Sequence, residues 1–374
     1  MIYTTYEIII NPKSSFLTKF QSDTIFGHLC WAIRYLHGED ELLEFLGKYK
    51  KEPPILVSNG FDSGRMPRPI RQNLKRNEVY ELIKEVYGSK SNENLRKGLT
   101  ALKKIKKSNV VDLEVFNAII SGLSEKEFIK KCLNAEICPK AMKYTTSDMP
   151  CPLVDKKAKC PAVSDRTKCP ILNDDKKDIN EIKIKNPSSP VSTVYKNTIN
   201  RLTSQTKKEG GLFFLNETYY REDSSISIFA KISEEYDVVY LKELFKFMEY
   251  GGFGKRKSTG KGHFVIKDIK ELQFKSPENP NAFVTLSNYV PNANDSTDGY
   301  YDVIIKRGKL GGHYATCDRK DPFKKPLRMF TAGSVFKVSE YKEYYGCLVP
   351  NIHEKDNKIV QYGYAFPVGM VVGK

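Results

Sequence analysis

The chain has 374 residues, 40% of them hydrophobic, and a formal charge of +16 from 61 Lys and Arg against 45 Asp and Glu. This length can bury a sizeable core and suggests two domains, or one domain with a large insertion, while the charge favours a polyanionic partner because each neutralised phosphate releases a condensed counterion. No apolar run approaches membrane-spanning length, no basic amphipathic helix sits at a terminus, and "MIYTTYEIII" has no signal-peptide character, so the expectation is a cytoplasmic protein with no membrane partner, its eight cysteines reduced or metal-bound.

Residues 2–10 alternate like a strand. Ser22 or Asp23 can cap the helix that follows, with Ile25, Leu29, Ala32, Ile33 and Leu36 on one face and Gly38 ending it. A short helix from Asp40 to Tyr49 and an apolar strand, "PPILVSNGF", come next. "GRMPRPIRQNLKR" (64–76) carries five cations and no acid. Residues 77–132 have helical periodicity. Leu95, Leu99, Leu102 and Ile105 line one face, and Ser124 and Glu127 form a capping box before "FIKKC". Residues 138–190 are irregular. "GGLFFLNETYY" (210–220) and "SSISIFAKIS" (224–233) read as a hairpin turning at "REDS". A helix with Leu241, Leu244, Phe245 and Met248 on its apolar face follows and stops at Gly251 and Gly252, before a strand over "HFVIKDIKELQF". With the insertion set aside, the order is β-α-β-β-α-β, the ferredoxin-like arrangement, so the fold class is α+β. Residues 276–374 read as short strands, a second β-rich unit and a degenerate copy of the first. The boundaries are thus 1–275, with an insertion at about 77–190 that is helical and then Cys-rich over 132–170, and 276–374.

"GGFGKRKSTGKGHF" (251–264) holds five glycines and four cations and no acid. It is not a P-loop: five residues separate Gly254 from Gly260, Lys261 is followed by Gly262 rather than Ser or Thr, and a strand comes next. A dinucleotide fingerprint fails on spacing and context. A loop against a nucleic-acid backbone fits. Glycines permit close approach and turn N–H groups outward as an anion nest, and Lys255, Arg256, Lys257 and Lys261 add charge. A solvated basic turn is the plainer reading, but an ordinary turn needs only one or two glycines.

A helix, a basic glycine loop and a strand closing a ferredoxin-like fold resemble the RAMP superfamily of CRISPR-associated RNA-binding proteins. "SDTIFGHLCWAIRY", "PPILVSNGF...RMPRPI", "YKNTINRLTSQTKKEGGLFFLNETYY", "GKLGGHYAT", "PFKKPLRMFTAGSVF" and "QYGYAFPVGM" narrow the resemblance to the family of subunits that bind the repeat-derived 5′ tag of the guide RNA in type III-A (Csm) effectors. The counterpart family of type III-D effectors is similar. The resemblance implies two ferredoxin-like domains and a non-catalytic subunit that binds the crRNA 5′ tag. It implies that this subunit caps the guide filament, with the large signalling subunit and the repeated backbone subunit as partners. By position it implies RNA contact for Lys255, Arg256, Lys257, Ser258 and Lys261, with Gly252 and Gly254 shaping the loop, for Lys196, Asn200 and Arg201 before "LTSQT", and for Arg68 and Arg71, where a solvated face competes. His28 reads as a tag-facing residue, as a partly exposed helix histidine, or, in a rival RAMP endoribonuclease that needs no metal, as a general base.

Cys138, Cys151, Cys160 and Cys169 are each followed by Pro, with Cys132 just upstream. Four thiolates suit a structural zinc, which could order a segment poor in apolar contacts. The spacing is not the C-x2-C pairing of common zinc modules, and a flexible loop with free thiols is the alternative. This run lies outside the resemblance.

Overall fold

The computed structural model describes residues 2–87, 92–137, 190–206, 211–315 and 322–373. The chain opens with β1 (Tyr3–Pro12), α1 (Ser22–His37), α2 (Glu39–Lys48) and β2 (Ile55–Asp62). An insertion then carries β3 (Arg65–Pro67), α3 (Arg76–Tyr87), α4 (Asn92–Lys107), β4 (Val110–Asp112), α5 (Leu113–Ile120), α6 (Glu125–Ile137), β5 (Val191–Asn197) and β6 (Leu212–Thr218). The first unit closes with β7 (Ile226–Ser233), α7 (Val238–Gly251) and β8 (Phe264–Glu271). Short strands follow: β9 (Ala282–Thr285), β10 (Gly299–Tyr300), β11 (Val303–Lys306), β12 (Leu327–Phe330), β13 (Val335–Lys337), β14 (Leu348–Val349), β15 (Gln361–Tyr362) and β16 (Pro367–Met370).

The first sheet is antiparallel in the order β2-β7-β1-β8. With the insertion set aside this is the expected ferredoxin-like β-α-β-β-α-β unit. Every residue of β7 is buried. One face of the sheet packs under α1 and α7, and the other meets the second unit, where Phe229 lies 6.4 Å from Phe366 between ring centroids, with Phe274 of the segment after β8 5.2 Å from Phe229. Burial on both faces explains why "ISIFAKIS" shows little polar alternation. The second unit builds a four-stranded antiparallel sheet, β10-β13-β9-β16, and has no α-helix among its described residues.

Several local expectations are met. Gly38 caps α1 at φ 101°, Leu241, Leu244, Phe245 and Met248 are buried in α7, and the Ser124–Glu127 capping box closes in both directions: the Glu127 N–H donates to Ser124 Oγ at 3.2 Å and the Ser124 N–H to Glu127 Oε2 at 3.1 Å. Replacing Ser124 with Ala is expected to cost about 1 kcal/mol, read as a shifted urea midpoint with an unchanged m-value.

Three expectations are corrected. The stretch 210–220 does not form a hairpin with 224–233. β7 already has β1 and β2 as neighbours, which leaves it no free edge, and β6 pairs with β5 in a separate two-stranded arm. The insertion therefore runs from the end of β2 to the start of β7, wider than 77–190. Ser22 and Asp23 do not cap α1. Gln21 holds the cap position, without a side-chain cap bond, and both residues are buried in the first turn, engaged with the second unit. Leu99 is 41% exposed; the buried face of α4 runs through Gly98, Ala101, Leu102 and Ile105, because Gly98 lets Ile83 of α3 lie flat against it. Among the described residues, no helix is long and apolar enough to cross a membrane.

Candidate nucleic-acid interface

The glycine loop leaves α7 at Gly252 (φ 71°) and makes a short 3-10 turn over Lys257–Thr259 before entering β8. Its glycines serve this path more than they open the backbone to a ligand. A Cβ on Gly262 would stand 2.0 Å from the Phe253 carbonyl oxygen, and one on Gly254 would stand 2.5 Å from Thr18 Cβ, both at positive φ, so the close approaches are to the protein itself.

The loop is pinned from beneath. Phe253 is buried and stacks on Phe20 at 4.4 Å and against the His28 ring at 4.8 Å. The Phe253 N–H donates to the Gly262 carbonyl at 2.8 Å, the Gly254 N–H to His28 Nε2 at 3.1 Å, the Lys255 N–H to Thr18 Oγ1 at 3.0 Å and the Gly262 N–H to the Ser15 carbonyl at 3.0 Å. His28 is thus half-buried under the loop rather than facing outward, and its Nε2 is engaged as an acceptor. Burial, with Lys257 nearby adding to it, pushes its pKa down to about 3, which fixes a neutral ring with the proton on Nδ1.

Three consecutive N–H groups, those of Arg256, Lys257 and Ser258, have no acceptor among the described residues. Arg256 is left-handed (φ 63°, ψ 24°) and right-handed turn geometry follows, the alternation that directs neighbouring N–H groups into one concavity. The anion nest expected from composition is therefore confined to this step. Lys255, Arg256, Lys257 and Ser258 are exposed, and the three cations make no ion pair among the described residues.

Lys261 differs from its neighbours. Its Nζ sits 2.7 Å from Oε2 of Glu217, a fully buried carboxylate on β6, and 2.8 Å from Ser15 Oγ. Its charge is paired within the protein, which leaves Lys255, Arg256 and Lys257 as the loop cations without a carboxylate partner among the described residues.

The β5–β6 arm stands beside the loop. Phe213, Leu215 and Glu217 of β6 are more buried than the alternating Leu212, Phe214 and Asn216. The Arg256 guanidinium lies 5.6 Å from the centroid of the Phe213 ring. Lys196 is paired directly across from Phe213 and shares its face of the arm, so Lys196 and the loop's Arg256 both neighbour Phe213. Asn200 and Arg201 lie in the exposed turn beyond β5, where Asn200 Oδ1 accepts the Leu202 N–H at 2.9 Å. Reading the chain alone named no aromatic partner. Tyr195 and Phe214, cross-strand neighbours 72% and 67% exposed, are the exposed aromatics the structure adds; their signal in the chain is apolar residues at solvent-facing positions of an arm whose pairing is long-range.

Arg68 and Arg71 are not part of this surface. Both guanidinium groups pair with Glu125 at the start of α6 and lie over the Phe128 ring at 4.4 and 5.5 Å; Arg68 also donates to the Ile105 carbonyl at 2.9 Å and Arg71 to the Leu123 carbonyl. They clamp the helical insertion to the segment after β3. Cys138, Cys151, Cys160 and Cys169, the expected zinc ligands, lie outside the described residues; Cys132 is buried on α6. Among the described residues no cluster of His, Cys, Asp or Glu has the make-up of a metal site.

The family model described as "RAMP superfamily" matches residues 12–265, from the end of β1 through the glycine loop into β8. The chain belongs to the RAMP superfamily. No protein of curated function matches it in sequence. Among solved structures, this RAMP protein is similar to a chain of the "Crystal structure of Csm1-Csm4 cassette in complex with AMPPNP", with 16% identity over 99% of both chains and a TM-score of 0.53. It is also similar to a chain of the "Crystal structure of Csm3-Csm4 subcomplex in the type III-A CRISPR-Cas interference complex", with 17% identity over 98% of this chain and 100% of that one and a TM-score of 0.52. At these identities the likeness is one of fold, and it extends through the second unit, beyond the RAMP match.

Proposed function

We propose that the chain is a non-catalytic crRNA-binding subunit of a type III CRISPR effector. In this reading it grips the repeat-derived 5′ tag of the guide and docks on the large signalling subunit and the repeated backbone subunit. Membership of the RAMP superfamily supports it, as does likeness in fold to chains from Csm1-Csm4 and Csm3-Csm4 assemblies. The observation that carries it is the loop at 255–258: three exposed cations, none neutralised by a carboxylate among the described residues, around a backbone step whose N–H groups have no acceptor among those residues. Phosphates need charge and N–H donors, and splayed bases need exposed rings such as those of Tyr195 and Phe214 on the neighbouring arm.

A RAMP endoribonuclease would need a histidine free to take a proton near neutral pH. His28 offers little for that role, since its Nε2 already accepts the Gly254 N–H and burial holds the ring neutral. The test is co-expression with the neighbouring genes, followed by sequencing of the co-purifying RNA and nuclease footprinting. Guides with a common 5′ end protected by this chain are expected. RNA of random sequence, or specific cleavage of repeat RNA in EDTA that is abolished by His28→Ala, would overturn the reading.

A further inference from the structure

We propose that the Lys261–Glu217 ion pair is a strut that holds the glycine loop and the β5–β6 arm in register, making Lys261 and Glu217 positioning residues rather than RNA contacts; this rests on the guide-binding reading above. The two residues come from elements 44 positions apart. Oε2 of Glu217 accepts from Lys261 Nζ at 2.7 Å, from Ser15 Oγ at 2.6 Å and from Tyr219 OH at 3.0 Å. The segment between β1 and α1 is caught in the same junction, because the Ser15 carbonyl accepts the Gly262 N–H and Phe16 exchanges backbone hydrogen bonds with Thr218 at 2.8 and 3.0 Å. Burial acts to raise the Glu217 carboxyl, but its donors, led by Lys261, outweigh that and hold it below the usual carboxylate range.

A buried acid beside a surface meant for phosphates is a poor choice on charge alone. Burying an ion pair is also seldom more stabilising than apolar packing of the same volume. What it supplies is direction: three donors on one carboxylate oxygen allow a single relative placement, whereas apolar side chains tolerate sliding. That placement puts the Arg256 guanidinium over Phe213, four residues before Glu217 on β6, with Lys196 opposite. The loop and the arm, separate elements in the chain, thereby offer one surface to the guide.

The test is binding of a single-stranded repeat-sequence RNA to the full chain across a salt series, for wild type, Lys261→Met and the exchange Lys261→Glu/Glu217→Lys. If the pair is a strut, Lys261→Met weakens binding about tenfold with the log–log salt slope unchanged, and the exchange restores affinity to within about threefold of wild type. If Lys261 binds phosphate, Lys261→Met lowers the slope by about 0.7 and the exchange binds worse than either, which overturns the proposal. Should Lys261→Met fail to fold by thermal melting, the exchange decides alone: recovered affinity supports the strut and lost affinity overturns it. Failure of the parent reading looks different, since wild type itself would then bind the RNA no better than an unrelated basic protein.

Discussion

Reversing Lys255, Arg256 and Lys257 to Glu is expected to abolish tight guide binding and to lower the salt slope by about 2, from about 0.7 for each of three phosphate contacts on a single strand. Between about 50 and 200 mM salt, wild type should then lose affinity about 20-fold more steeply than the variant. The expectation rests on where these charges stand. All three side chains are exposed, and among the described residues they make no ion pair and the backbone step they flank carries N–H groups without acceptors. The side chains are exposed, and the Arg256–Phe213 contact is a cation–π pair worth about 0.5 to 1 kcal/mol, so the variant should melt within about 1 to 1.5 kcal/mol of wild type, which separates lost contact from lost fold. Arg256 adds a second effect, since its removal uncovers the Phe213 ring. An unchanged slope in the triple variant would place these cations in bulk solvent and remove the main support for guide binding.

The parts of this molecule legible in the chain are those whose causes are local. The apolar stripe of α7, the glycine that ends α1 and the reciprocal Ser124–Glu127 cap each depend on residues within one or two turns of each other, and each is present as read. The failures share one cause, a partner far away in sequence. A polar pair at a helix start reads as a cap, yet Ser22 and Asp23 face residues 288, 306 and 361. A basic run reads as an RNA face, yet Arg68 and Arg71 meet Glu125, and Lys261 meets Glu217. Strand pairing fails for the same reason: β6 and β7 look like a hairpin until both edges of β7 are found occupied. Within the candidate site, the loop was legible because exposed cations need no partner in the protein, and the arm was not because its pairing is long-range.

Asp23→Ala is expected to destabilise the protein by about 3 kcal/mol, because removing one partner of a buried charge pair leaves the other uncompensated. Asp23 sits in the first turn of α1 with its side chain 4% exposed. Oδ1 accepts from Lys306 Nζ at 2.6 Å and from Asn288 Nδ2 at 3.3 Å, while Oδ2 accepts from Gln361 Nε2 at 2.8 Å. Ser22 extends the junction through its Oγ, which accepts the Asn288 N–H at 3.0 Å. All of these donors come from the second unit, so the carboxylate ties the ferredoxin-like unit to its β-rich companion. The side chain of Lys306 is 18% exposed and can draw some water, which places the cost at the lower end of the range for buried pairs, about 3 to 5 kcal/mol. Adding Lys306→Met to Asp23→Ala should recover part of the loss, because the second substitution removes the stranded ammonium; a double-mutant cycle in urea gives the coupling. None of these residues reaches the glycine loop, so below the melting transition the salt slope for RNA should match wild type. Equal stability of Asp23→Ala and wild type would show that apolar packing between the units, and not this charge cluster, holds them together.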